Sequence, residues 1–188
     1  NDGLKMFIVG IANDKVYEYK LSENFDVSTA SFVDAFSVQS QDVAPTGIAF
    51  STDGLKMFIL GSWGDDVNEY TLSEHFDVST ASFVDAFSVV SQELIPFGIT
   101  FSTDGLKMFI LGNSGDDVNE YTLSEHFDVS TASFVDAFSV ASEDVAPTEI
   151  AFDPSGRYMF ILGNTGDDVT VYKLSENFDV STAVVQSG

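Results

Sequence analysis

A 51-residue repeat runs through the whole sequence and constrains the fold more than any other feature. A glycine in a DG or SG turn recurs at this interval, and the same spacing links one valine, one tyrosine and one phenylalanine per copy. The turn glycines are Gly3, Gly54, Gly105 and Gly156. No insertion or deletion interrupts the period, so each copy is expected to form the same supersecondary unit.

Each period is predicted to contain four strands separated by turn residues. In the copy that starts at Pro96, the strands are expected at residues 97–102, 106–112, 117–123 and 133–140. The second is a continuous apolar run, typical of a strand buried on both faces, and the third alternates. In the fourth, Phe134, Phe138 and Val140 are predicted to share one face. Asp128 is expected to cap the short turn between the third and fourth strands.

Four short strands in a period near 50 residues are typical of a β-propeller blade. The predicted fold is all-β: a propeller of four-stranded antiparallel blades, with about four 51-residue repeats in one propeller or half-propeller domain over residues 1–188. The repeats are placed at residues 1–45, 46–96, 97–147 and 148–188.

The two ends of the sequence leave ring closure open. The pattern gives three first, four second, four third and three complete fourth strands, plus a remnant at residues 181–188. One chain could close a compact four-bladed ring. Alternatively, a homodimer could complete about eight blades, because unpaired edge strands favour association. A third alternative is a segment of a longer protein.

The segment FSTDGLKMFILGNSGDDVNEYTLS, residues 101–124, resembles the YVTN-type repeats of bacterial propellers. In all four copies, a DG-like turn leads into a buried strand and an alternating strand follows. The resemblance implies propeller blades whose first strand lines the central channel. Some propellers related to these repeats are lactonases, but no catalytic residue of that family matches a position of this sequence.

The composition excludes several partners. Thirty acidic residues against seven Lys and Arg give a formal net charge of −23, which repels nucleic acids and anionic membrane surfaces. There is no Cys, so disulfides and thiol chemistry are excluded. No apolar run approaches the roughly 18 residues of a membrane span, so no membrane insertion is expected. An extracellular, cell-surface or virion-surface location is favoured.

Differences between the copies concentrate on two sets of loops. The hairpin loops, between second and third strands, begin at residues 10, 61, 112 and 163, and the lead-in loops, before each first strand, begin at residues 39, 90 and 141. Variation there indicates either a binding face or neutral drift. Trp63 could stack on a sugar or a protein partner, or pack on the next blade. The candidate ligand-binding residues are Trp63, Phe97, Asn113 and Asn164.

Aspartates in the hairpin loops are candidate metal ligands. They are Asp14, Asp65, Asp66, Asp116, Asp117, Asp167 and Asp168. Carboxylates beside Asn and exposed carbonyls suit calcium, which is the one cofactor considered. The alternative is a turn-capping Asp beside a solvated one.

Catalysis has little support in the sequence. His75 and His126 are copies 51 residues apart and are interpreted as turn residues, and Arg157 is the sole arginine. No nucleophile, base and orienting group can be placed together. The predicted function is therefore a non-catalytic interaction module, not an enzyme, that presents variable acidic loops to a protein or carbohydrate. The alternatives are a structural segment of a larger surface protein and, less favoured, a lactonase-like hydrolase.

Overall fold

A computed structural model describes residues 2–186, in which fifteen strands form four antiparallel sheets. Blade 1 contains β1 (Lys5–Gly10), β2 (Lys15–Lys20) and β3 (Ser31–Ser37). Blade 2 contains β4 (Pro45–Phe50), β5 (Lys56–Gly61), β6 (Asp66–Thr71) and β7 (Ser82–Ser88). Blade 3 contains β8 (Pro96–Phe101), β9 (Lys107–Gly112), β10 (Asp117–Leu123) and β11 (Ala132–Ser139). Blade 4 contains β12 (Pro147–Phe152), β13 (Tyr158–Gly163), β14 (Val169–Leu174) and β15 (Ala183–Val185).

The predicted all-β, four-bladed propeller architecture is confirmed. Within each blade the strands pair in chain order, from the innermost strand to the outermost. The strands of blade 3 begin and end within one residue of the predicted bounds. Blade 1 has three strands within the described residues, and β15 is the predicted remnant. Ser187 and Gly188, the end of that remnant, lie outside the described residues.

The repeated turn between the first two strands of a blade depends on its glycine. Gly105 has a φ of +71°, in the left-handed region that favours glycine. The ring of Phe127 lies directly over it: a Cβ at Gly105 would be 2.2 Å from a ring carbon. The Phe127 amide also donates to the Gly105 carbonyl over 2.9 Å. Conformation and packing therefore both require glycine in this turn.

A short 3₁₀ turn precedes each outermost strand. The four turns are Val27–Thr29, Val78–Thr80, Val129–Thr131 and Val180–Thr182. Asp128 caps the third, because its side chain accepts a hydrogen bond from the Ser130 amide over 3.1 Å. The predicted capping role is confirmed.

The outermost strand contains a β-bulge that the sequence pattern did not reveal. Glu120 pairs with Asp136, whereas the next residue, Tyr121, pairs with Phe134, so Val135 is the extra residue. The bulge places Phe134 against Tyr121 of its own blade and Phe138 against Tyr172 of the next. The prediction that Phe134 and Phe138 share a face was wrong, because the extra residue reverses the side-chain alternation.

A Lys–Glu pair joins each of the first three blades to the next. In blade 2, Lys56 Nζ lies 2.7 Å from Glu69 Oε1 and donates to the Phe127 carbonyl of blade 3 over 2.7 Å. The other oxygen of Glu69 accepts a hydrogen bond from the Val129 amide over 3.0 Å. The equivalent pairs are Lys5–Glu18 and Lys107–Glu120. We call this arrangement the interblade clamp.

Apolar clusters fill the space between adjacent blades. In the second interface, Phe58 and Leu60 of blade 2 belong to one buried cluster with Met108 and Ile110 of blade 3. The rings of Phe58 and Phe101 have centroids 4.5 Å apart. Burying each such side chain contributes roughly 1.5–3 kcal/mol, so these clusters provide most of the cohesion between blades.

No helix in residues 2–186 is long and apolar enough to cross a membrane.

Candidate functional site

The acidic residues predicted as metal ligands lie in the hairpin loops, with one set in each blade. Asp65 and Asp116 have φ values of +50° and +48°, so each forms the left-handed position of a tight turn. Asp14 and Asp167 adopt the same conformation in blades 1 and 4. The following residue begins the third strand in blades 2 and 3, where Asp66 accepts from the Asn68 side-chain amide over 2.6 Å. Local turn geometry therefore explains this aspartate doublet.

Three buried carboxylates hold the lead-in and hairpin loops together. Asp144 accepts hydrogen bonds from the amides of Thr165 and Gly166 in the hairpin loop and of Ala146 in its own loop. Asp42 and Glu93 occupy the equivalent positions of blades 2 and 3 and make the same kind of contact. The sequence analysis did not single out these residues. Their constant acidity within otherwise variable loops was the available signal.

Burial and mutual repulsion change the acidity of the loop carboxyls. Desolvation raises the pKa of Asp66, and the charges of Asp42 and Asp65 raise it further, while the Asn68 bond opposes the rise. Desolvation also raises the pKa of Asp65, with a contribution from Glu93. For Asp144, burial acts to raise the pKa, but hydrogen bonds from backbone amides outweigh it and lower the pKa.

The predicted metal ligands do not assemble into a centre. Within residues 2–186, no group of three or more His, Asp or Glu side chains is arranged to hold a metal ion. The doublets Asp116–Asp117 and Asp167–Asp168 are one blade apart, as are their counterparts in blades 1 and 2. Calcium binding stays a prediction from the sequence, without a coordination geometry in the described residues.

The predicted ligand-binding residues are distributed over three blades. Trp63 is 76% exposed, so it does not pack on the next blade. Phe97 is half-buried on β8. Asn113 and Asn164 hold equivalent positions, and the backbone amide of each donates to its own lead-in loop over 3.1 Å. His75, predicted to be a turn residue, contacts the Asp53 carbonyl through Nδ1 at 2.6 Å in an exposed turn.

The innermost strands form a concave surface on which one carboxyl stands out. At the third position of β4 and β8 the residue is Gly47 or Gly98, where a Cβ would lie 2.9 Å or 3.1 Å from backbone of the next blade. At the equivalent position of β12 the residue is Glu149. Glu149 is the sole acidic residue on these three strands. Its replacement of glycine breaks the repeat symmetry and could have been noticed in the sequence.

Glu149 occupies an unusual electrostatic environment. The Glu149 side chain is solvent-accessible, yet the surrounding protein atoms desolvate its carboxyl and raise its pKa. The Ile150 amide donates to Oε1 over 3.0 Å and opposes this rise. A Cβ at Gly98 of the neighbouring strand would lie 3.2 Å from Oε1. An accessible carboxyl with a raised pKa is a stronger base than an ordinary glutamate and is suited to proton transfer.

A cavity lies along the concave surface beside Glu149. It has a volume of about 470 Å³ and is lined by residues from the innermost strands of blades 2, 3 and 4, including Ala49, Thr100 and Ala151. A larger groove of about 1080 Å³ adjoins β1 and β4, where blade 1 has no innermost strand, and it contains Phe7 and Phe50. Both have the size of small-molecule sites.

Solved structures share the fold over almost the whole chain. Proteins from Bacteroides uniformis and Bacteroides fragilis, both provisionally named 6-phosphogluconolactonases, are 15% and 14% identical, with TM-scores of 0.65 and 0.66. Each comparison covers 98% of this chain and 50% of the other. The periplasmic gluconolactonase of Pseudomonas aeruginosa is 20% identical, with a TM-score of 0.59, over 99% and 50% of the two chains. The chain therefore spans half the length of the propellers it matches.

These comparisons correct the functional prediction. The expectation of a non-catalytic interaction module that is not an enzyme was wrong, because three structures that share this fold over 98–99% of the chain carry lactonase names. The repeated residues misled the sequence analysis: equivalent positions in every blade offered no asymmetric centre, and Glu149 was overlooked. At 14–20% identity the likeness itself shows the propeller fold. No known protein family and no curated protein matches the sequence.

Proposed function

We propose that this protein is a hydrolase of sugar lactones that acts on the concave surface formed by the innermost strands. The observation that carries the proposal is the fold likeness, over 98–99% of the chain, to three propellers named as lactonases.

Glu149 is the residue of this surface that can act as a general base. Its ionised carboxyl would accept a proton from a water molecule as that water attacks the carbonyl carbon of the lactone. The acyl–oxygen bond then breaks, the ring oxygen takes the proton back from Glu149, and the product is an open-chain hydroxy acid that releases its own carboxyl proton to water. The raised pKa of Glu149 makes it a stronger base than an ordinary surface carboxylate.

Charge favours a neutral substrate. The chain has a formal net charge of −23, and only seven Lys and Arg residues offset thirty acidic ones. Three of the seven, Lys5, Lys56 and Lys107, are engaged in interblade clamps. A phosphorylated lactone would meet repulsion, whereas an uncharged aldonolactone would not, and its carboxylate product would be expelled.

Proton release in a pH-stat tests the proposal with glucono-1,5-lactone and its 6-phosphate as substrates. We expect the unmodified chain to accelerate hydrolysis of the neutral lactone, and Glu149→Gln to reduce that acceleration by about 100-fold or more. Glu125→Gln, at an exposed loop glutamate of blade 3, is the matched control and should retain full activity. A rate equal to the buffer background, for the unmodified chain with both lactones, would contradict the proposed function.

A further inference from the structure

The last blade has an exposed apolar face. The equivalent faces of the preceding blades are buried against the next blade. Leu162 on β13 is 44% exposed and Val169 on β14 is 55% exposed. Their equivalents in blade 3, Leu111 and Val118, are fully buried against the following blade. Blade 4 therefore ends in one half of an interblade interface without its other half.

The first blade presents the complementary half. Val27, in its 3₁₀ turn, is 67% exposed, whereas the equivalent Val78 and Val129 are completely buried against the preceding blade. Ile8 on β1 is 45% exposed, while the equivalent Ile59 is completely buried. An isolated apolar residue on a surface is ordinary, but two opposite faces that both repeat an established interface are not.

The internal interfaces show how these two faces fit together. Val16 of blade 1 and Val78 of blade 2 belong to one buried cluster. One repeat later, Val67 and Val129 do the same. Val169 occupies the position of Val16 in blade 4, so its natural partner is a residue at the position of Val27.

The comparisons indicate how many chains are needed. This chain matches half the length of two solved propellers over 98% of its own length, with TM-scores of 0.65 and 0.66. A ring of that size would therefore need about twice this number of blades. Two copies supply the length of one such propeller, and joining them head to tail twice leaves neither apolar face exposed.

We call the contact between blade 4 of one copy and blade 1 of the other the closing junction. Its residues differ from those at the interfaces within the chain in ways that suit this pairing. Where the internal interfaces have the interblade clamp, blade 4 has Tyr158 and Val171, so these two positions carry no charge. Glu149 replaces the glycine that elsewhere admits the innermost strand of the next blade. Blade 1 has no such strand within residues 2–186, so it leaves room for that side chain.

We propose that two copies of this chain associate through the exposed faces of blades 1 and 4 to form one ring with two identical junctions. Each junction pairs Leu162 and Val169 of one copy with Ile8 and Val27 of the other. The ring encloses the concave surface from both sides and carries two Glu149 carboxyls. The proposal concerns assembly and stands independently of the hydrolytic activity.

Light scattering coupled to size exclusion measures the mass of the unmodified chain in solution. We expect twice the chain mass of 20.3 kDa. Val169→Arg, which alters both junctions of the ring, should give the mass of one chain. Val135→Arg changes a similarly exposed valine, at 50%, on the outermost strand of blade 3 and should leave the mass doubled. Circular dichroism of both variants checks that they fold.

Mixing two single variants tests the geometry of the junction. Val169→Arg and Val27→Arg should each be monomeric alone, but together they retain one unaltered junction, so an equimolar mixture should recover the doubled mass. A single-chain mass for the unmodified protein at about 100 µM would overturn the proposal, as would open-ended polymers. A doubled mass unaffected by Val169→Arg would also overturn it, because association would then use another surface.

Discussion

Glu69 of blade 2 accepts a hydrogen bond from the Val129 amide of blade 3 over 3.0 Å, although 60 positions separate the two residues. Glu69 is 2% exposed and also pairs with Lys56 at 2.7 Å. A single side chain thus links a strand of one blade to the 3₁₀ turn of the next, and the same link occurs at the other two interfaces.

Loss of this carboxyl should weaken the interface between blades 2 and 3. We expect Glu69→Ala to lower the free energy of unfolding by about 3 kcal/mol, because it leaves the Val129 amide and Lys56 without their buried partner. Urea unfolding followed by circular dichroism provides the measurement, since the sole tryptophan, Trp63, is already 76% exposed. Glu74→Ala, at an exposed glutamate of the same blade, should change stability by less than about 0.5 kcal/mol. Equal effects of the two substitutions would contradict the role of the clamp.

The turn glycine should tolerate no side chain. Gly105→Ala forces alanine into a φ of +71° and places its methyl group against the Phe127 ring, so we expect a loss of about 2–4 kcal/mol. Gly10→Ala is the control, because an added Cβ there meets its nearest atom at 3.4 Å without a positive φ. Thermal unfolding of both variants should lower the midpoint clearly only for Gly105→Ala, and an unchanged midpoint would refute the packing argument.

Asp144 should make stability depend on pH. Its pKa is lowered in the folded state, so its stabilising contribution is present above the pKa of the unfolded chain and is lost as pH falls through the lower folded pKa. Asp144→Asn removes this contribution, and we expect its stability to fall less than that of the unmodified protein between pH 5 and about pH 3. Unfolding curves at several pH values measure the difference. Asp136→Asn, at an exposed site on the outermost strand of blade 3, should follow the unmodified protein.

The hairpin loop of blade 4 should become more mobile when the Asp144 side chain is truncated. Asp144→Ala leaves the amides of Thr165 and Gly166 without their acceptor, which we expect to cost about 2 kcal/mol at neutral pH. Hydrogen exchange at these two amides should accelerate in the variant. Unchanged protection would mean that the loop is held by contacts other than this carboxylate.

Lactone hydrolysis should depend on the ionisation of Glu149. Because the pKa of this carboxyl is raised, the base form appears only at higher pH than for an ordinary glutamate, and the rate should rise with pH through that raised pKa. Glu149→Gln should lose this rise along with the activity. A pH–rate profile at fixed lactone concentration, corrected for the hydroxide-catalysed background, provides the test. A profile identical in the variant would exclude Glu149 as the base.

Restoring the clamp at the closing junction should strengthen association. Tyr158→Lys with Val171→Glu recreates in blade 4 the pair found in blades 1 to 3, and gives the Val27 amide of the second copy an acceptor. We expect about a tenfold lower dissociation constant for the dimer. Sedimentation at several concentrations measures it. Weaker association of this double variant would mean that blades 4 and 1 do not meet as the internal blades do.

The sequence predicted the repeated parts of the structure accurately. The strands of blade 3, the glycine turn at Gly105 and the cap at Asp128 all follow from local patterns, and the 51-residue period extends them to every copy. These features depend on short-range geometry, which residue types and spacing determine directly. The same regularity concealed the candidate site, because Glu149 is not a repeated residue: the equivalent positions are Gly47 and Gly98.

What only the tertiary structure decided depends on contacts between distant segments. The bulge at Val135 places Phe134 and Phe138 on different faces, so that each ring packs against a different blade. The role of Asp144 arises from a hairpin loop more than twenty positions away. The raised pKa of Glu149 depends on the protein atoms that surround its carboxyl on the concave surface. The sequence by itself determined the blade, because the blade is a local pattern repeated; the tertiary structure decided how blades meet, because desolvation and long-range hydrogen bonds exist only once they pack.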